Sequence, residues 1–63
     1  MKPWLTMREA VLILEVPRTR IQSWVTADRI RTRKIMLGRL KYRLEYNTSD
    51  LLATEARHAA SNS

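Results

Sequence analysis

The chain has 63 residues, 44% of them hydrophobic, and a net charge of +6 from twelve Lys and Arg against six Asp and Glu. So short a chain buries only about 60% of its unfolded surface, which is room for one small core. It has no cysteine and one histidine (His58), which excludes disulfides and thiolate metal sites, and neither a metal nor another cofactor is expected.

Thr6-Met7-Arg8-Glu9 fits a capping box, in which the Thr6 hydroxyl and the Glu9 carboxylate each bind the other's amide. Met7, Ala10, Val11, Ile13 and Leu14 follow on one apolar side, predicting a short helix over 7–15. Val16-Pro17 breaks it, because proline lacks an N–H and disfavours helical geometry at the residue before it. Proline also suits the first turn of a new helix, and Pro17 to Thr26 has that pattern. Ile21, Trp24 and Val25 share a face at i, i+3, i+4. Arg18, Thr19, Gln22 and Ser23 lie largely opposite, with Arg20 near the boundary. Two helices joined by a tight turn, the second with a polar-basic outer face, make a helix-turn-helix.

Beyond Ala27 the periodicity changes. The runs 33–37 and 40–44 flank Gly38-Arg39, the signature of a type II′ hairpin turn. Leu40, Tyr42 and Leu44 alternate with Lys41, Arg43 and Glu45, which predicts a two-stranded wing with the first set buried and the second outward. Trp4 and Leu5 read as an entry segment that packs on the core, and Tyr42 as a core residue with its hydroxyl at the rim. Asn47 to Asp50 hold several N-cap candidates for a last helix over 49–59. The expected fold is mainly α with a small β-hairpin, a winged helix-turn-helix. It forms a single domain over 1–58, with 59–63 fraying into a disordered tail.

The charge is concentrated. Between Arg18 and Arg43 lie nine bases against one acid (Asp28), a charge of +8, whereas the remainder has three bases against five acids. A basic face of this kind seeks a polyanion. On the second helix Arg18, Thr19, Arg20, Gln22 and Ser23 are the candidates for the major groove, where Arg pairs with guanine, Gln with adenine, and Ser or Thr with base edges or phosphate. Arg39 at the wing tip, with Lys41 and Arg43 outward, reaches a minor groove or the phosphates. Arg33 and Lys34, with Arg29 and Arg31, read as backbone clamps. The six acids, Glu9, Glu15, Asp28, Glu45, Asp50 and Glu55, read as helix caps and surface solvation; no catalytic constellation emerges, and an enzyme is not expected. His58, beside the tail, reads as a solvated surface residue.

The order of these parts resembles the excisionase and MerR-type winged helix-turn-helix DNA-binding domains. Leu5-Thr6-x-x-Glu9-Ala10 opens the first helix, and Leu14-Glu15-Val16-Pro17-Arg18 makes the turn. Ile21-x-x-Trp24-Val25 anchors the recognition helix, Leu37-Gly38-Arg39-x-x-Tyr42-Arg43 forms the wing, and Ser49-Asp50-Leu51 starts the last helix. Glu15 stands where the family usually has glycine, and Pro17 where it commonly has serine. The resemblance implies a phage or mobile-element excisionase, also called a recombination directionality factor. Such a protein binds double-stranded DNA at an attachment site, bends it beside neighbouring copies of itself, and assists a tyrosine-type integrase. It needs no cofactor and no small-molecule substrate.

A small MerR-like transcriptional regulator or phage repressor is the nearest alternative, differing only in its action once bound. A module that docks an acidic protein, or one that binds RNA, stands further off. No apolar run approaches the roughly 18 residues that cross a bilayer, and the N-terminus lacks a signal peptide's apolar core. A cytoplasmic, nucleoid-associated protein without a membrane partner is therefore expected.

Overall fold

The computed structural model describes residues 1–27 and 29–61. In chain order they form β1 (Trp4–Leu5), α1 (Met7–Leu14), α2 (Arg18–Thr26), β2 (Thr32–Met36), β3 (Tyr42–Asn47) and α3 (Thr48–Ser61). The result is a small mixed fold of three helices and a three-stranded antiparallel sheet with strand order β1-β3-β2.

The entry segment is therefore a strand, where a two-stranded wing was expected. Trp4 pairs with Asn47 and Leu5 with Tyr46. The Thr48 amide donates to the Pro3 carbonyl at 3.0 Å, and the Thr48 hydroxyl to the Lys2 carbonyl at 2.6 Å. These bonds fasten the N-terminal segment to the start of the last helix. Local propensity does not reveal a two-residue strand, because its pairing partner lies some forty residues away.

Helix α1 starts as predicted. The Glu9 amide donates to the Thr6 hydroxyl, and the Thr6 amide donates to the Glu9 carboxylate. Lys2 reaches the same carboxylate at 2.8 Å, and with the Thr6 amide it holds the Glu9 pKa down at about 2. The helix ends where Glu15 takes the left-handed conformation, with φ 55° and ψ 42°. That conformation favours glycine. Glu15 therefore holds a conformation that an L side chain adopts at some cost. Pro17 sits just outside α2 as its N-cap, in extended geometry, and its carbonyl accepts from the Arg20 and Ile21 amides.

The core comprises Leu5, Ala10, Leu14, Ile21, Trp24, Ile30, Tyr46 and Leu51. Ile30, in the connection after α2, joins it without belonging to any periodic run. Ile13 and Leu12 face solvent instead, because helix α1 has only one covered side. Asn47 proves to be the cap of α3, its side-chain oxygen accepting from the Asp50 amide at 3.0 Å. Helix α3 continues to Ser61, so Ala59 and Ala60, expected to fray, are helical. Asn62 and Ser63, the end of the expected tail, lie outside the described residues, as does Asp28.

The hairpin differs from its prediction in two ways. Register runs from Thr32 opposite Tyr46 to Met36 opposite Tyr42, and the Leu37 amide then donates to the Lys41 carbonyl at 2.9 Å. Gly38, Arg39 and Leu40 thus form a three-residue loop, and Gly38 does not have positive φ, which excludes a type II′ turn. Alternation does place Tyr42, Leu44 and Tyr46 on one face. However, the helices cover only its base, where Tyr46 is buried, while Leu44 is 42%, Tyr42 54% and Leu40 96% exposed. Conversely Glu45, expected outward, is only 7% exposed.

Candidate nucleic-acid interface

Helix α2 buries Ile21 and Trp24 and leaves Arg18, Thr19, Arg20, Gln22, Ser23 and Thr26 exposed. At about 100° per residue, Arg18 and Arg20 lie about 200° apart, one on each flank of the exposed face. Thr19, Gln22 and Ser23 occupy the strip between them. The arrangement sets short hydrogen-bonding side chains in the centre and long cationic ones at the edges. Pro17 supplies no side-chain cap, so the first turn of α2 presents amides to whatever approaches its N-terminus.

Neither Arg18 nor Arg20 forms an ion pair among the described residues. Arg18 borders a shallow groove with Met7, Arg8, Val11 and Leu12. Arg8 is a cation that sequence reasoning did not assign to the basic face. Its signal was its position in the first turn of a helix that packs against α2, which only the helix–helix arrangement makes meaningful. Ser23 faces both the exposed strip and a cleft of about 370 Å³ against α3, lined by Trp24, Arg29, Thr54 and His58 among others. His58 is exposed, as expected, and its ring also stacks on Trp24 at 5.3 Å between ring centroids.

The hairpin divides its cations. At its base Glu45 accepts from Arg33 Nε at 2.8 Å and from Arg43 Nε at 3.1 Å. The Arg33 guanidinium also lies 4.7 Å from the centroid of the Trp4 ring, over its face. Trp4, Arg33, Arg43 and Glu45 share the face of the sheet away from the helices, as the registers require. Two guanidiniums around one carboxylate leave a net charge of +1 there. Lys34, on the opposite face, lies 4.4 Å from the Tyr42 ring centroid and has no acidic partner among the described residues. At the tip Arg39 and Lys41 are exposed and likewise unpaired among the described residues.

Arg31, read from sequence as a backbone clamp, is committed to the fold. Its amide and Nε both donate to Asp50 at 2.9 Å, and its guanidinium reaches the Asn47 side chain. The pair raises the Arg31 pKa and lowers that of Asp50, each through the hydrogen bond first. Arg29 is exposed and unpaired among the described residues. Structure therefore brings Arg18, Thr19, Arg20, Gln22 and Ser23 onto one helix face. It leaves Lys34, Arg39 and Lys41 open on the hairpin and ties Arg33 and Arg43 into an ion triad.

Among the described residues no group of three or more His, Asp or Glu side chains is placed to hold a metal. No helix among them is long and apolar enough to cross a membrane. No protein-family model, no curated protein and no solved structure matches the chain.

Proposed function

We propose that this chain is a winged helix-turn-helix protein that binds double-stranded DNA, with α2 as the helix that enters the major groove. One observation carries the reading: α2 exposes hydrogen-bonding side chains between two arginines that no acid neutralises among the described residues. Polar groups at the centre suit base edges, and arginines at the flanks suit the phosphates on either side of a groove. The hairpin, with Lys34, Arg39 and Lys41 open, is the wing that tracks the neighbouring backbone. Arg33 and Arg43 stiffen its base and lend the residual charge of their triad.

The finer reading rests on the resemblance of the sequence: an excisionase that binds beside an attachment site, next to copies of itself, and assists an integrase. A DNA binder of this kind works without catalytic residues of its own.

Fluorescence anisotropy across a salt series tests the binding, using a duplex selected from a random pool and a scrambled control. With about six cations on phosphates, the logarithm of affinity falls against log salt with a slope of roughly −5, and the selected duplex binds more tightly. Equal, salt-insensitive binding, or none, overturns the proposal. Purified protein added to an integrase with its attachment-site duplexes then tests the finer role. Stimulated excision supports it, and an unchanged yield leaves a DNA binder of another purpose.

A further inference from the structure

Leu40 is 96% exposed at the end of a hairpin loop, between two cations that no acid engages among the described residues. Strand β3 begins at Tyr42, four residues from the core residue Tyr46, which sets the root of the loop about 14 Å beyond the core at roughly 3.4 Å per residue, and Leu40 lies two residues further along the chain. Met36 and Leu37, both more than half exposed, add apolar surface behind it. A β-carbon on Gly38 would meet no atom within 4 Å, so that side of the loop is bare backbone with open approach. Nothing in the fold is gained by holding a leucine there. Its presence between Arg39 and Lys41 gives the tip an apolar point with a positive charge on each side.

The dimensions limit what such a point can enter. A hairpin is two strands about 4.8 Å apart before side chains are added, and the minor groove of B-form DNA is about 6 Å wide. The whole tip does not fit an undistorted minor groove, whereas one projecting side chain does. Apolar side chains that part a base step open the groove and kink the duplex toward the major groove, which then admits more protein. A bilayer is the poorer match, since stable attachment takes many buried methylenes and this tip offers one fully exposed side chain.

We propose that Leu40 is a wedge that enters the minor groove of bound duplex and parts one base step, with Arg39 and Lys41 held by the phosphates beside it. The proposal rests on the duplex-binding reading above and adds the residue that deforms the DNA. Leu40 touches no core residue, so its replacement tests deformation separately from folding.

The experiment uses the full chain and the selected duplex, end-labelled for energy transfer, with 2-aminopurine scanned along the flank that the hairpin faces. Wild type is expected to shorten the end-to-end distance and to brighten 2-aminopurine at one step. Leu40→Ser keeps the melting temperature and the salt slope, loses both signals, and binds about tenfold more weakly, as when the burial of one leucine is given up. Leu40→Met restores both signals. Duplex binding by wild type with no bend, or an equal bend by Leu40→Ser, overturns the wedge while leaving duplex binding intact. Leu40-dependent sedimentation with phosphatidylserine vesicles, together with an unchanged bend, assigns the tip to lipid and overturns it as well. If wild type binds no duplex, the reading of function falls, and the wedge with it.

Discussion

The base and the tip of the hairpin are built from the same kinds of residue and use them differently. At the base Arg33 and Arg43 close on a buried Glu45, and Arg33 also covers the Trp4 ring. At the tip Arg39 and Lys41 flank Leu40, with no acid paired to them among the described residues and no helix beneath. A guanidinium at the base helps the sheet keep its register, whereas one at the tip is free to meet a phosphate. Basic composition alone therefore overstates the interface, because several of the concentrated cations already have partners inside the protein.

The sharpest way to break this comparison is to remove the shared acid. Glu45→Ala leaves two guanidiniums facing each other and is expected to cost about 1–2 kcal/mol, since both are about half exposed and water takes over part of the lost carboxylate's role. Thermal melting checks it, and an unchanged midpoint would show that the base is not held by its triad. On α2, Arg18→Ala or Arg20→Ala is expected to weaken the selected duplex by about 1–3 kcal/mol and the scrambled one far less. Arg33→Ala should weaken both duplexes alike while also lowering the melting temperature. Selectivity lost through Arg33 rather than through α2 would mean that the wrong element has been set in the groove.

Smaller effects refine the same contrast. Arg39→Ala and Lys41→Ala are each expected to reduce the salt slope by about 1 without moving the melting temperature, as for a cation held only by phosphate. Acid should act on the body of the fold and spare the tip, which has no carboxylate. Glu9 has its folded pKa depressed from 4.5 to about 2, so its stabilisation is complete above the unfolded value and is lost as pH falls from about 4.5 through about 2. Asp50 moves in the same direction. Melting temperature measured downward from pH 6 should therefore drop in that window, and Glu9→Gln should flatten part of the drop. Smallest of all, Glu15→Gly relieves a left-handed residue and is expected to add about 0.5 kcal/mol, the strain relief being partly offset by a freer unfolded chain. Urea denaturation would detect it, and a loss of stability would mean that the glutamate contributes a contact of its own.

Features legible from sequence are those decided within a few residues. The Thr6–Glu9 capping box, the break at Val16-Pro17 and the apolar stripe of Ile21 and Trp24 all emerge from local chemistry. The pairing of one strand with the other also comes from the period of two. The exposed strip of α2 was legible for the same reason, since a helix that buries Ile21 and Trp24 must turn Thr19, Gln22 and Ser23 outward.

Tertiary structure decided what no window of the sequence contains. Whether Leu44 and Tyr42 are covered depends on how far the helices extend over the sheet, and they stop near Tyr46. Whether Arg31, Arg33 and Arg43 are available depends on acids 19, 12 and 2 residues away being brought within hydrogen-bond distance. The third strand exists because β3 offers an edge on which Trp4 and Leu5 can pair. Sequence by itself determined the helices, the hairpin and the sign of the charged face, because hydrogen bonding and periodicity act over one or two turns of chain. Only the packed structure decided which charges remain for a partner, because a cation's availability is set by the neighbours that folding brings to it.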